Sequence, residues 1–99
     1  MNNIRINGCE FDFESSMIKS DYVIKSCELH LKWLDNGNNT ETIEKLNELY
    51  NNTIERLKEA YEEALYEELY EEEIIDSLYE ERKNKIDFEH ARNISYIIC

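Results

Sequence analysis

An uninterrupted helical pattern in the middle of the chain restricts the fold more than any other feature of the sequence. The chain has no proline, and its two glycines, Gly8 and Gly37, lie outside this segment, so neither residue type interrupts a helix between positions 41 and 82. A continuous 41–82 helix would be about 63 Å long, whereas a domain of this size has an expected radius of gyration of about 13 Å. We therefore expect the 41–82 stretch to be bent or broken, either at residues 51–53 or near residues 71–73. Its apolar residues recur at helical spacing, at Ile43, Leu46, Tyr50, Ile54, Leu57, Tyr61, Ala64 and Leu65.

A second helix is predicted over residues 16–35. Ser15 or Ser16 can cap its first turn, and Gly37 is suited to the left-handed position that follows a helix. Thr40 is the expected cap of the helical stretch after it. The apolar side of the 16–35 helix consists of Met17, Ile18, Val23, Ile24, Cys27, Leu31 and Leu34, with Tyr22 and Trp33 at the edges.

The two ends of the chain carry signals for β-structure. Asn7-Gly8 favours a type I′ turn, and it predicts a β-hairpin over residues 4–13. In this hairpin Ile4, Ile6, Cys9 and Phe11 share one face, and Phe13 continues it. Residues 87–98 are predicted to form a short C-terminal element, for which helix and strand remain alternatives because apolar residues alternate at Ile94, Tyr96 and Ile98.

These elements together predict an α+β fold that is mainly helical. One domain covers residues 1–99, since 99 residues suffice for one hydrophobic core and no more. The N-terminal hairpin is expected to pack on two or more long antiparallel helices, followed by the short C-terminal helix or strand. An isolated hairpin is only marginally stable, so it needs such a packing partner.

The negative charge is concentrated in one segment. The formal net charge is −12, and residues 59–81 contain eleven acidic residues and no lysine or arginine. On a helix several of these acids form like-charged i,i+4 pairs, each of which costs about 0.2–0.5 kcal/mol. As one helix, this run would span about 34 Å, with one charge per about 3.1 Å, close to the spacing of about 3.4 Å along one DNA strand.

Two interpretations of the acidic run are open. It is either a solvated face, or a surface whose repulsion is offset by a basic partner protein. Tyrosines interleave the acids, and tyrosine together with glutamate suits contacts to arginine and lysine side chains. The candidate partner-binding residues are Glu59, Glu62, Glu63, Tyr66, Glu67, Tyr70, Glu71 and Glu73.

The sequence carries no motif for catalysis or for a cofactor. His30 and His90 stand alone, paired E-x-x-H motifs are missing, and two glycines cannot form a phosphate-binding loop. We therefore predict a protein that is not an enzyme and that has no metal site, no cofactor and no direct contact with nucleic acid. The three cysteines form no CxxC, which favours free thiols in a reducing compartment. Without a long apolar run or a secretory signal, a cytoplasmic location away from membranes is expected.

The Glu- and Tyr-rich segment from Tyr61 to Glu81 is similar to the helices of small acidic anti-CRISPR proteins of phages. Several of those proteins occupy nucleic-acid-binding sites on Cas effectors. The resemblance implies an inhibitor, encoded by a phage or mobile element, that blocks a basic nucleic-acid-binding surface such as that of a CRISPR effector by DNA mimicry.

The alternative function is that of a phage structural or assembly protein that acts through helix–helix self-association. Residues 6–13 resemble the opening of some small phage tail-assembly proteins. If Tyr66, Leu69, Tyr70 and Ile74 form a second apolar face, a homodimer should form through it.

Overall fold

Three long α-helices make up the fold in the computed structural model, which describes residues 9–67 and 72–98. Helix α1 spans Cys9–Asn36, α2 spans Asn39–Glu67 and α3 spans Glu72–Ile98. No β-strand occurs within the described residues. The predicted helical character is therefore confirmed, while the α+β class is wrong: the fold is an all-helical three-helix bundle.

Contacts between side chains establish an up-down-up arrangement. Phe11 near the start of α1 packs against Tyr61 near the end of α2, so these two helices are antiparallel. Tyr61 in turn donates a hydrogen bond to Asp76 near the start of α3. Helices α1 and α3 run parallel, since Arg82 pairs with Asp12. The bundle is elongated, with principal extents of 53 × 22 × 17 Å, because each of the three helices extends over most of the length of the bundle.

The buried residues follow the same spacing in all three helices. Inward positions recur at intervals of 4, 3, 4, 4, 3 and 4 residues, starting at Phe11 in α1, Thr42 in α2 and Ile75 in α3. All thirteen residues that are buried in the described part of the chain fall on these positions. The result is an 11-residue period, which is typical of helices that wind around each other with a right-handed twist. The three isoleucines at positions 75, 86 and 97 show it most directly.

This period also repeats the contacts between α2 and α3. The Tyr50 ring stacks on His90, with ring centroids 4.3 Å apart, and its hydroxyl donates to Asp87. Eleven residues further along α2, Tyr61 stacks on Tyr79 at the same centroid distance and donates to Asp76. Equivalent aromatic pairs therefore hold α2 against α3 at two levels of the bundle.

The connection between α1 and α2 is a two-residue corner. Gly37 has φ +66°, and its N–H donates to the Trp33 carbonyl oxygen at 2.7 Å, which confirms its predicted left-handed position after α1. The cap of α2 is Asn38 and not Thr40, because the Asn38 Oδ1 accepts the Glu41 N–H at 3.0 Å. Thr40 lies within the first turn of α2.

The predicted N-terminal hairpin is wrong for the residues that the structure describes. Residues 4–8 lie outside the described part, and Cys9 to Phe13 belong to α1. A strand would place Phe11 and Phe13 on the same face, yet Phe11 is 2% exposed and Phe13 is 68% exposed. Burial of Phe11 against Tyr61 therefore favours helix over the local alternation of apolar residues.

The other helix boundaries also differ from the sequence-based ones. Helix α1 begins before the expected Ser15 or Ser16 cap, and Ser15 is fully buried inside it. Residues 51–53 lie within α2, whereas α2 ends at Glu67 and α3 begins at Glu72. Residues 87–98 belong to α3, and the strand alternative is wrong because Ile97 continues the helical spacing of Ile75 and Ile86.

Candidate binding surfaces

The predicted partner-binding residues that the structure describes lie at one end of the bundle, toward the end of α2 and the start of α3. Of these residues Glu59, Glu62, Glu63, Tyr66 and Glu73 are exposed, and Tyr66 reaches 84% exposure. Glu67 is the last residue of α2, and its side chain is outside the description. Tyr70 and Glu71 lie outside the described residues, as does Leu69 of the expected dimer face. The run therefore does not form one straight helix, because its first part belongs to α2 and its last part to the antiparallel α3.

The up-down-up order of the three helices concentrates acidic residues in one half of the molecule. We call residues 9–22, 53–67 and 72–85 the acidic half, because the up-down-up order brings these segments together. They contain fourteen acidic and six basic residues, against seven and four in the rest of the three helices. The start of α1 contributes to this excess, which the acidic run in the sequence does not reveal.

A groove between α1 and α2 collects several of these carboxylates. Glu14 of α1 and both Glu59 and Glu63 of α2 line it, together with Arg56 and Met17. Arg56 is engaged elsewhere, since its Nη1 pairs with Asp21 at 2.9 Å. Lys25 and Arg56 hold the pKa of the Asp21 carboxyl below its usual value, mainly through the hydrogen bond from Lys25. Within the described part of the chain, neither Glu59 nor Glu63 forms an ion pair.

Other acids of the same half have structural partners. Asp76 accepts the Tyr61 hydroxyl, and this hydrogen bond raises the pKa of Tyr61 to about 12. Asp12 pairs with Arg82, whose side chain is only 14% exposed. Glu81 pairs with Lys85 at 3.4 Å. Asp76 and Asp12 therefore take part in contacts between helices, whereas the Glu81–Lys85 pair lies within α3.

A second surface, absent from the predicted site, runs along the outside of α1. Its positions are spaced by alternating steps of four and three residues and face away from the buried positions 11, 15, 18, 22 and 26. Five large apolar side chains on it are between 56% and 68% exposed. We call this surface the outer stripe of α1; it consists of Phe13, Met17, Ser20, Ile24, Cys27, Leu31 and Leu34.

The two flanks of the outer stripe differ in charge. The flank beside α2 is acidic at every step and consists of Glu14, Asp21, Glu28 and Asp35. The flank beside α3 carries Ser16, Val23 and His30, and the His30 ring contacts Tyr96 of α3 with centroids 5.6 Å apart. The outer stripe is therefore an apolar seam with one acidic edge.

The sequence-based interpretation of α1 did not separate its inward side from its outward side. It placed most of the outer stripe on one apolar side together with Ile18, and it put Tyr22 at the edge. In the structure Tyr22 is fully buried, as are Ser15 and Ser26. Each serine hydroxyl donates to a carbonyl oxygen of its own helix, so its burial leaves no polar group without a partner. The regular four-three spacing from position 13 to position 34 was the available signal for a separate outward seam.

His90, a half-buried residue of α3, takes part in a polar network. The Tyr22 hydroxyl lies 3.0 Å from His90 Nδ1, and His90 Nε2 lies 2.9 Å from Asn47 Oδ1. Because the amide oxygen only accepts, Nε2 carries the proton and Nδ1 accepts from Tyr22. Burial lowers the pKa of His90 against an opposing effect of Asp87. Both ring nitrogens are thus engaged in contacts between the helices.

Among the described residues, no group of three or more histidine, cysteine, aspartate or glutamate side chains is arranged to hold a metal ion. None of the helices in that part of the chain combines the length and the apolar character that crossing a bilayer requires. The surfaces that remain as candidates are the outer stripe of α1 and the acidic half.

Comparisons with protein-family models, with curated proteins and with solved structures found no match to this chain. The physical character of these two surfaces is therefore what bears on the function of the protein.

Proposed function

We propose that the protein is a non-enzymatic binding protein that acts by docking α1 against another α-helix, as an assembly or scaffolding component does. The observation that supports this proposal is the outer stripe, on which Phe13, Leu31 and Leu34 are each more than 60% exposed. Exposed apolar patches of several large side chains are typical of interaction sites, because leaving them in water is unfavourable.

The shape of the surface favours a helix as the docking partner. The outer stripe is a narrow band along a helix, about 32 Å long from position 13 to position 34. A second helix can bury such a band along its whole length through side chains that interlock. Tyr22 and His90 are the side chains that would suit proton transfer in a catalytic site. They are hydrogen-bonded to each other between α1 and α3.

Site-specific photo-crosslinking tests this proposal in cells that produce the protein. A benzophenone amino acid replaces Ser20, which is small, exposed and central in the outer stripe, or Asn51, which is exposed on α2. Irradiation should give a discrete polypeptide adduct from position 20 and none from position 51. The double substitution I24E/L31E should abolish the adduct, because both side chains belong to the outer stripe. Absence of any adduct at position 20 would refute the docking function.

A second candidate function uses the acidic half to bind a basic protein surface of the kind that holds nucleic acid. Tyr66, 84% exposed, supports it, because it lies between the exposed carboxylates of Glu62 and Glu63 and the end of α2. The sequence predicted one row of charges about 34 Å long if residues 59–81 formed a single helix. In the structure the two described parts of this run lie on the antiparallel helices α2 and α3, so the charges form a more compact patch. Such a patch matches a basic pocket better than a long DNA-binding groove.

Displacement of nucleic acid tests this second candidate. The protein is titrated against a purified basic nucleic-acid-binding protein in complex with labelled DNA. E59Q/E63Q should weaken displacement, whereas E44Q/E48Q, with the same charge change on the same helix, should leave it intact. Equal weakening by both variants would mean that net charge, and not a surface in the acidic half, is responsible.

A further inference from the structure

We infer that the helix that docks on the outer stripe of α1 is α1 of a second copy of this chain, parallel and in register. This inference rests on the docking function proposed above and adds the identity and orientation of the partner. It is independent of the acidic-half candidate, which concerns another surface.

The spacing of the outer stripe is that of a coiled-coil seam. Steps of 4, 3, 4, 3, 4 and 3 residues give a period of 3.5, whereas the inward positions of the same helix follow the 11-residue period. A 3.5-residue seam drives pairing of two helices with a left-handed twist, in which the residues of one seam pack between those of the other. Helix α1 therefore packs in its own bundle through positions with an 11-residue period, and it presents positions with a 3.5-residue period to an external helix.

The outer stripe is self-complementary in its apolar content. It has five large apolar residues, with the small Ser20 and Cys27 on either side of Ile24, and two copies in register place each position of the stripe opposite the same position of the other copy. The five large side chains lose their exposed area only when a surface of equal length covers them, and a second outer stripe has that length. The bundle does not obstruct this contact, since α2 and α3 pack on the opposite side of α1.

The charges beside the stripe select the parallel orientation. In a parallel pair related by a two-fold axis along the helices, the flank beside α2 in one copy meets the flank beside α3 in the other. Glu14, Asp21, Glu28 and Asp35 then face Ser16, Val23 and His30, with no like-charged pair. An antiparallel pair would bring the acidic flank against itself, carboxylate against carboxylate.

The net charge of −12 opposes any self-association, and it gives a distinctive salt response. The like-charge field of the two copies is screened over about 8 Å at physiological ionic strength, while burial of the apolar stripe does not depend on this field. Adding salt should therefore strengthen the dimer, whereas a contact held by ion pairs would weaken.

Cys27 reports the orientation directly. It is an exposed free cysteine on the outer stripe, and in a parallel pair in register the two Cys27 side chains face each other across the axis. In an antiparallel pair Cys27 instead faces another position of the stripe. A sulfur–sulfur bond forms only when the two Cα atoms are within about 7 Å, so oxidation distinguishes the two arrangements.

The experiment uses the 99-residue chain with the substitutions C9S and C99S, which leave Cys27 as its remaining cysteine. Sedimentation equilibrium under reducing conditions should give twice the 11.9 kDa chain mass, with tighter association in high salt. Mild oxidation with copper–phenanthroline should then convert most of the dimer to a disulfide-linked form. I24E/L31E should raise the dissociation constant by about 100-fold or more while keeping the helical circular dichroism signal. N51E/N52E adds the same charge on an exposed part of α2 and should remain dimeric.

A monomer at all concentrations and salt levels would overturn the inference. If position 20 nevertheless gave an adduct with a different polypeptide, the docking function would stand with another partner. A dimer that resists Cys27 oxidation would overturn the parallel arrangement. A dimer that I24E/L31E leaves unchanged would overturn the assignment to the outer stripe.

Discussion

His90 joins all three helices through its side chain. Its ring nitrogens bond to Tyr22 of α1 and Asn47 of α2, and its ring stacks on Tyr50 of α2. The Tyr22 hydroxyl, which donates to Nδ1, also lies 3.4 Å from the Asn93 amide nitrogen that donates to it. The Tyr22 hydroxyl can donate to Nδ1 only while His90 is neutral, since a protonated Nδ1 no longer accepts a hydrogen bond.

Protonation of His90 should therefore destabilise the fold in mild acid. Because burial lowers its folded-state pKa below the unfolded value of about 6.5, the unfolded chain binds the proton more readily. The stability that neutral His90 provides is fully present above about pH 6.5 and is lost as the pH falls toward its folded-state pKa. Urea denaturation at pH 7.5 and pH 5 should show this loss in the natural chain and a smaller one in H90Q. An equal pH response in both would show that other groups cause it.

Individual residues also explain why the inward side of α1 could not be predicted from the hydropathy of its sequence. Ser15, Tyr22 and Ser26 occupy inward positions, while Ile24 and Leu31 point outward. Hydropathy favours the opposite orientation, and only the common 11-residue spacing of all three helices identifies the inward side. The acidic residues of the candidate site were recognisable from sequence, whereas the outer stripe was not recognised as a separate surface because most of its residues were grouped with Ile18 as one apolar side of the helix.

At the level of the elements, the predicted 16–35 helix lies within α1, but the helix ends depend on particular caps. Gly37 and Asn38 define the α1–α2 corner through a positive φ and a side-chain cap. The predicted hairpin is wrong for Cys9 to Phe13, which belong to α1. The turn signal and the local alternation favour a strand there, but Phe11 packs against Tyr61 when this segment is helical. Long-range packing of this kind cannot be read from a ten-residue window.

Gly37 provides the test of this corner. A Cβ at position 37 would meet no atom within 4 Å, so Gly37→Ala changes the backbone preference without a clash. We expect G37A to reduce the free energy of unfolding by about 1 kcal/mol, the cost of a left-handed conformation for an ordinary residue. Gly37→Asn should cost less, because asparagine tolerates this region. Chemical denaturation of both variants measures the difference; equal stability of all three chains would contradict a corner fixed by φ +66°.

At the scale of the whole molecule, the up-down-up order separates two kinds of surface. It brings the start of α1, the end of α2 and the start of α3 into the acidic half, and it leaves the outer stripe of α1 along the length of the bundle. A parallel dimer would place two acidic halves side by side. The same arrangement that exposes the apolar seam would thus also enlarge the acidic surface available to a basic partner.

The stability of the bundle should reveal how much repulsion the acidic half contains. Glu59 and Glu63 form an i,i+4 pair in a groove with Glu14, whereas Glu48, in the i,i+4 pair with Glu44, lines a groove with Lys25, Lys32 and Lys45. E59Q/E63Q removes repulsion of about 0.2–0.5 kcal/mol for the pair, with little change in helix propensity. It should therefore melt at a higher temperature than the natural chain in low salt.

E44Q/E48Q is the matched control, because it makes the same change fifteen residues earlier on α2. It removes a like-charged pair but also the attraction of Glu48 to nearby lysines, so its melting temperature should rise less or fall. In about 1 M salt, where charges are screened over about 3 Å, the two variants should converge on the natural chain. Thermal melts followed by circular dichroism at both salt levels give the comparison. A lower melting temperature for E59Q/E63Q would mean that these carboxylates make stabilising contacts, and they would then be poor candidates for binding a partner.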